Sequence, residues 1–158
     1  MEEKSKILIA DDNQEFCKIL KNLLEKYEDI EIVGVANTDE EEKRIIEELR
    51  PEIVITDLVR NYKYTGLEII KEYSNKSEHP SFLVISADKK EDIMDKNLKI
   101  DGYIKKPFFN YDIIIDEIRR IKKDINNNEK LVVVKQKSRF NLLEKILKFL
   151  CIKNNKKG

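Results

Sequence analysis

Five short apolar runs punctuate the first 125 residues: KILIA at 6–10, EIVGV at 31–35, IVIT at 53–56, FLVI at 82–85 and GYIK at 102–105. They are rich in Ile, Leu and Val and do not alternate strictly with polar residues, which is the pattern of strands covered on both faces. Between them lie stretches whose apolar residues recur at helical spacing. Phe16, Ile19, Leu20, Leu23, Leu24 and Tyr27 mark a first helix over about 13–27. Thr38 and Glu41 form a capping box that opens a second, which carries Ile45, Ile46 and Leu49 and stops before Pro51. Weaker patterns predict a third helix at 66–74 and a fourth at 88–98. A fifth, over about 110–125, sets Ile114, Ile118, Ile121 and Ile125 on one stripe. Strands alternating with helices predict a doubly wound, five-stranded parallel α/β sheet.

Beyond residue 125 the pattern changes. The Asn126-Asn127-Asn128 triplet is expected to end the fifth helix, giving a domain over 1–125 and a linker over 126–137 in which LVVVKQK reads as a short strand. Ser138 to Ile152 then reads as a basic amphipathic helix, followed by a polar tail over 153–158. Phe140, Leu143, Leu147 and Leu150 form its apolar row.

Charge sharpens that division. The formal net charge of the 158 residues is zero, but residues 126–158 hold nine basic and two acidic residues, a net +7, which leaves −7 on the rest. An acidic domain with a basic appendage points to an interaction segment. No run approaches the ~18 apolar residues of a membrane span. The opening MEEKSK lacks the charged leader and apolar core of a secretory signal, so a cytoplasmic setting is expected. Cys17 and Cys151 have no CxxC spacing and read as packing thiols.

The candidate chemistry lies at the ends of the runs. Asp11 and Asp12 follow the first, Asp57 the third, Ser86 the fourth and Lys106 the fifth. In an open parallel sheet the carboxyl ends of the strands share one crevice, so these residues are expected to converge there. Close carboxylates repel by about 4 kcal/mol per pair at an effective dielectric near ~20, which calls for protonation or a cation. Carboxylate oxygens are hard ligands, and Mg²⁺ characteristically takes one or two of them together with waters and a phosphoryl oxygen. Asp57 then serves as ligand and nucleophile, Lys106 neutralises an incoming phosphoryl group, and the Ser86 hydroxyl donates to one of its oxygens. Each residue also has a plainer account. Asp12 or Asn13 suits a helix N-cap, and a lone Asp after IVIT suits a turn.

The ordered set Asp11, Asp12, Asp57, Ser86 and Lys106 resembles the motif of response-regulator receiver domains over residues 6–125. The stretches IADDNQEFCKIL and EIVGVA are most similar to receivers of the sporulation master-regulator type in endospore-forming Firmicutes. That resemblance implies a flavodoxin-like strand order 2-1-3-4-5 and a cis peptide between Lys106 and Pro107. It assigns Asp57 as phosphoacceptor, Asp11, Asp12 and the Val59 carbonyl as Mg²⁺ ligands with Asp57, Ser86 and Lys106 as phosphoryl contacts, and Tyr103 with Ser86 as the switch. The implied donor is a phosphohistidine on a histidine kinase or histidine phosphotransferase. The receiver catalyses only its own phosphotransfer and slow aspartyl-phosphate hydrolysis, and passes the signal to a downstream protein or to a second receiver.

The chain departs from the family pattern in three places. After Asp57 a Met-Pro pair is usual, whereas here Leu58-Val59-Arg60-Asn61-Tyr62-Lys63-Tyr64-Thr65 precede Gly66, a loop one residue longer and more basic, whose Arg60 and Lys63 are expected in solvent, the alternative being that they attract a phosphodonor or partly replace the metal's charge. The approach to Lys106 is shortened, with Ile100-Asp101-Gly102 where Gly-Ala is usual. The 33 residues after 125 are too few for a DNA-binding domain, so sequence-specific DNA contact is not expected. Three roles are open for the tail: packing on the acidic domain or a partner protein, lying in a membrane interface, and nonspecific nucleic-acid contact. A receiver paralogue that competes for a partner without being phosphorylated is the alternative reading of the whole. His79, beside Pro80, reads as a loop residue.

Overall fold

A computed structural model describes residues 3–88 and 98–154. The strands are β1 (Ser5–Ala10), β2 (Ile30–Ala36), β3 (Ile53–Thr56), β4 (Ser81–Ser86) and β5 (Gly102–Lys105), joined in one parallel sheet of order β2-β1-β3-β4-β5. This is the expected doubly wound architecture and strand order. The helices are α1 (Gln14–Leu24), α2 (Asp39–Leu49), α3 (Thr65–Ser74) and α4 (Asp112–Asn154). The helix predicted over 88–98 falls almost wholly outside the described residues.

The central strands explain the apolar runs. All four residues of β3 and five of six in β4 are buried, so neither face is free for polar side chains. Leu8, Val54, Phe82 and Val84 pack with Ile45, Ile46, Ile69 and Ile70 on one side. Asp101 fastens the shortened approach to β5. Its N–H donates to the Phe82 carbonyl (2.9 Å) and its Oδ2 accepts from the Phe82 N–H (2.8 Å), so a side chain continues the ladder where the strand has not begun.

Local chemistry sets the helix starts. Asn13 caps α1, its Oδ1 accepting from the Phe16 N–H at 3.0 Å. Thr38 caps α2 by accepting from the Glu41 N–H at 3.2 Å, while the Glu41 carboxylate reaches back to the Asn37 N–H at 2.8 Å. α2 ends in a left-handed Arg50 whose N–H caps it on the Ile46 carbonyl, and Pro51 follows, where the helix cannot continue.

One expected core stripe is rotated and another is shifted along its helix. On α1 the buried face is Cys17, Leu20 and Leu24, and Ile19 is exposed. On α2 Glu42 is buried with Ile45 and Ile46, while Leu49 is exposed.

The final helix corrects the reading of residues 126–137. Helix runs through Asn126-Asn127-Asn128 and through the LVVVKQK segment, so the expected break, linker and short strand are absent. Asn lowers helix propensity by well under ~1 kcal/mol per residue, too little to stop a helix that is propagating. One compact unit spans residues 1–121 and a second spans 122–158. In the first, Ile114, Ile115, Ile118 and Ile121 are buried. In the second, Leu131, Val132 and Val133 are exposed. Residues 138–152 are helical, but the side chains of the expected anchors Phe140, Leu143, Leu147 and Leu150 lie outside what is described. No described helix is long and apolar enough to cross a membrane.

Candidate functional site

Ladder geometry carries the chosen side chains to one place. The Asp11 N–H donates to the Ala36 carbonyl, the Asp57 N–H to the Ala10 carbonyl and the Lys106 N–H to the Ser86 carbonyl, so each is the first residue past its strand at the same end of the sheet. Lys106 is the hub. Its Nζ donates to Asp57 Oδ2 at 2.7 Å and to Asp11 Oδ2 at 2.9 Å, across 49 and 95 residues of sequence. The remaining oxygens are held locally, Asp57 Oδ1 by the Val59 N–H (3.2 Å) and Asp11 Oδ1 by the Asn13 N–H (2.9 Å). Lys106–Pro107 is a cis peptide, as the resemblance implied.

Because Asn13 takes the capping role, Asp11 and Asp12 are not spent on α1. Asp12 turns to the loop after β3, where its Oδ2 accepts from the Asn61 N–H at 3.0 Å. Gly66 holds that loop close. A Cβ built on it falls 2.0 Å from the Asp57 carbonyl oxygen, a distance no side chain tolerates, so only glycine lets α3 begin here.

Electrostatics follow from depth. Burial pushes the Asp11 carboxyl above its ordinary value, and the Asn13 and Lys106 hydrogen bonds only partly offset it. Burial also works against the Lys106 ammonium, but the Asp57 and Asp11 carboxylates outweigh it and hold its pKa up. The Lys106 side chain is 26% exposed and Asp57 13%, so the pair opens to solvent. The Cys17 thiol below it, pushed up to about 11 by burial and by the Asp11 charge, donates to the Asp11 carbonyl and stays a thiol.

Ser86 is buried at the end of β4, its Oγ 3.5 Å from the Asp88 N–H. Tyr103 in β5 is partly buried, its hydroxyl donating to the Asp88 carbonyl. Both thus converge on the segment that follows β4.

The donor set suits a hard divalent cation. Among the described residues no three His, Cys, Asp or Glu groups form a cage on their own. Mg²⁺ does not need one, since it keeps several waters and takes few protein oxygens. Two carboxylates already gathered on one ammonium provide that number, and a cation lowers the cost of ionising buried Asp11.

Sequence reasoning missed one cluster beside this site. Arg60, expected in solvent, is 3% exposed and reaches under the loop to ion-pair with Glu42 (2.5 Å) and Asp39 (2.7 Å) in α2. It also donates to Thr56 Oγ1 at 2.6 Å, and Thr65 Oγ1 donates to Asp39 Oδ1 at 3.1 Å. The only available signal was a glutamate at an inward position of α2. Lys63 remains exposed.

A family model described as the response regulator receiver domain matches residues 7–119. Solved structures with the same fold include the response regulatory domain of protein mrkE from Klebsiella pneumoniae, 19% identical with a TM-score of 0.66 over 77% of this chain and 98% of that one. The receiver domain of Francisella response regulator 1452 is 23% identical, with a TM-score of 0.66 over 77% and 99% of the two chains. A DNA-binding response regulator of the LuxR family from Staphylococcus aureus is 22% identical, with a TM-score of 0.65 over 74% and 98%. At these identities the likeness is one of fold.

Proposed function

Because the chain belongs to the response-regulator receiver family, we propose that it accepts a phosphoryl group on Asp57 from a phosphohistidine of a partner kinase or phosphotransferase. The observation that carries this reading is the lysine bridge, Lys106 Nζ at 2.7 Å from Asp57 and 2.9 Å from Asp11 at the carboxyl end of the sheet. A bare structural lysine has no need to collect two carboxylates from different strands at a solvent-open rim.

An Asp57 oxygen attacks phosphorus as the P–N bond to the donor imidazole breaks, and the imidazole keeps the electron pair and takes up a proton. The Val59 N–H and Lys106 fix the Asp57 carboxylate so that the attack begins from one rotamer. As charge moves onto the transferred group, Lys106 exchanges its carboxylate contact for a phosphoryl oxygen, and the Ser86 hydroxyl donates to another. Asp11, Asp12, Asp57 and the Val59 carbonyl hold Mg²⁺, which when bound neutralises charge on the phosphoryl oxygens. Movement of Ser86 toward the phosphoryl group disturbs the Asp88 segment, to which the Tyr103 hydroxyl is bonded, and carries the signal to the β4–β5 side. Within the family, the IADDNQEFCKIL and EIVGVA stretches favour the sporulation master-regulator type.

Incubation with acetyl phosphate and Mg²⁺ tests the reading. The expected product is an acid-stable, hydroxylamine-labile adduct mapped by mass spectrometry to Asp57 and absent from Asp57→Ala. Absence of an adduct with every donor, or an adduct at another residue, overturns it.

A further inference from the structure

We infer that Arg60 is a positioning residue for the proposed Mg²⁺ and phosphoryl site, acting from beneath as a buried clamp on the loop between β3 and α3. The inference rests on the phosphoacceptor reading above. It starts from the shape of that loop. Arg60 and Lys63 pair across a tight turn, N–H to carbonyl in both directions (2.8 and 2.9 Å), and the two residues at its tip, Asn61 and Tyr62, have φ of 48° and 61°. Two consecutive left-handed residues form the turn of a miniature hairpin. Asn accepts that conformation readily, whereas Tyr does so at a cost, and the Tyr62 side chain is fully exposed and recovers none of it by packing. Something else must hold the turn.

The Arg60 side chain is placed to do so. Its guanidinium passes below the loop and engages Thr56 at the end of β3 together with Asp39 and Glu42 in α2. Thr65, the first residue of α3, bonds to the same Asp39 oxygen. The planar fork thus ties the strand before the loop to the helix beside it, and Asp39 carries the tie on to the helix after it. Above the clamp sit the groups that matter to the site. The residue before Arg60 is Val59, whose N–H holds Asp57 and whose carbonyl is the proposed metal ligand. The residue after it is Asn61, whose N–H holds Asp12. Arg60 touches neither the acceptor nor the metal position, yet it sets the backbone that orients both.

The charge pattern agrees with a retained constraint. Among the described residues Arg60 Nε has no hydrogen-bond partner, and the buried pair rests on the 2.5 Å contact of Arg60 Nη2 with Glu42 Oε2. Such a pair is a poor device for stability alone, since an apolar replacement of both partners serves as well or better.

The test uses the full chain and compares wild type, Arg60→Met and Arg60→Met/Glu42→Leu. Urea unfolding reads stability, acetyl-phosphate labelling against Mg²⁺ concentration reads function, and calorimetric Mg²⁺ titration reads binding without phosphorylation. Arg60→Met is expected to raise the half-saturating Mg²⁺ concentration roughly tenfold, the lower end for loss of a group supporting metal ligands, with a smaller loss of rate at saturating Mg²⁺. The double variant is expected to recover the unfolding midpoint while keeping the high Mg²⁺ requirement. Recovery of the Mg²⁺ requirement along with stability overturns the inference, as does a wild-type requirement in either variant. Failure of the wild type to form an adduct removes the phosphoacceptor reading alone, because the Mg²⁺ titration still reports on Arg60.

Discussion

Two clusters of one cation and two carboxylates lie on either side of the loop after β3, and they differ in depth and in the cation. Lys106 with Asp11 and Asp57 sits at the rim, its side chain 26% exposed, while Arg60 and Glu42 are sealed below, 3% and 0% exposed, with the more open Asp39 beside them at 31%. At the rim a compact ammonium with rotatable donors is free to trade a carboxylate for another anion. Below, a planar guanidinium is locked by three partners and has nowhere to go. Similar charges therefore serve exchange in one place and fixation in the other, and accessibility decides which.

The largest effects separate the two by kind. Asp57→Asn removes the proposed acceptor, and phosphoryl labelling should fall to the detection floor while the urea midpoint barely moves. Glu42→Ala should do the reverse to stability, costing about 3–5 kcal/mol because it leaves Arg60 charged and buried with only partly exposed Asp39 to balance it. Lys106→Met, at the open rim, should cost much less in urea unfolding. Equal losses for Glu42→Ala and Lys106→Met break the comparison.

Next in size is Asp11→Asn, which tests whether the rim is built for a bound cation rather than for stability. Burial raises the Asp11 pKa above its ordinary 3.8. For a raised pKa the stabilising contribution is present below the unfolded value and is lost as pH rises through the folded one. At neutral pH the metal-free wild type therefore carries a cost that the amide avoids. Asp11→Asn should be more stable by on the order of 1 kcal/mol at pH 7, with the difference shrinking as pH falls toward 4. Adding Mg²⁺ should stabilise the wild type and leave the variant unchanged. A variant less stable at pH 7 without metal shows that the Lys106 pairing outweighs burial.

The rim was legible in the sequence and the clamp was not. Asp11, Asp12, Asp57, Ser86 and Lys106 each follow an apolar run, and once those runs are parallel strands their ends must meet. The five strands were legible for the same reason, since buried β3 and β4 leave no place for polar residues. Arg60 and Glu42 stand 18 residues apart on a loop and a helix, and each alone reads as a solvated charge. Only their mutual neutralisation buries them, a tertiary effect with no local signature. On α2 Glu42 extends the face of Ile45 and Ile46 toward the helix start, while Leu49, on that same face, is exposed as the last residue of the helix. On α1 a small thiol, Cys17, takes the inward place that hydrophobicity gave to Ile19. The missing helix break at Asn126-Asn127-Asn128 has another cause, since three weak helix formers are carried by the turns on either side.

The smallest expected effect fixes the exposed end of the scale. Arg119 in α4 forms a two-pronged contact with Asp29 before β2, Nε to Oδ2 at 2.9 Å and Nη2 to Oδ1 at 3.2 Å, with the guanidinium 5.4 Å from the Tyr27 ring centre. The geometry matches that of a strong pair, but both side chains are about half exposed. Water and salt therefore screen the contact, and Arg119→Ala should cost less than about 1 kcal/mol, less still in 1 M NaCl at ~3 Å Debye length. The hydrogen bond from Arg119 lowers the Asp29 pKa below 3.8. A lowered pKa contributes stability above the unfolded value and loses it as pH falls through the folded one. The gap between wild type and Arg119→Ala in urea midpoint should accordingly hold from pH 7 to about 4 and close only in stronger acid. A loss as large as that of Glu42→Ala means that geometry, and not burial, governs the charge pairs of this fold.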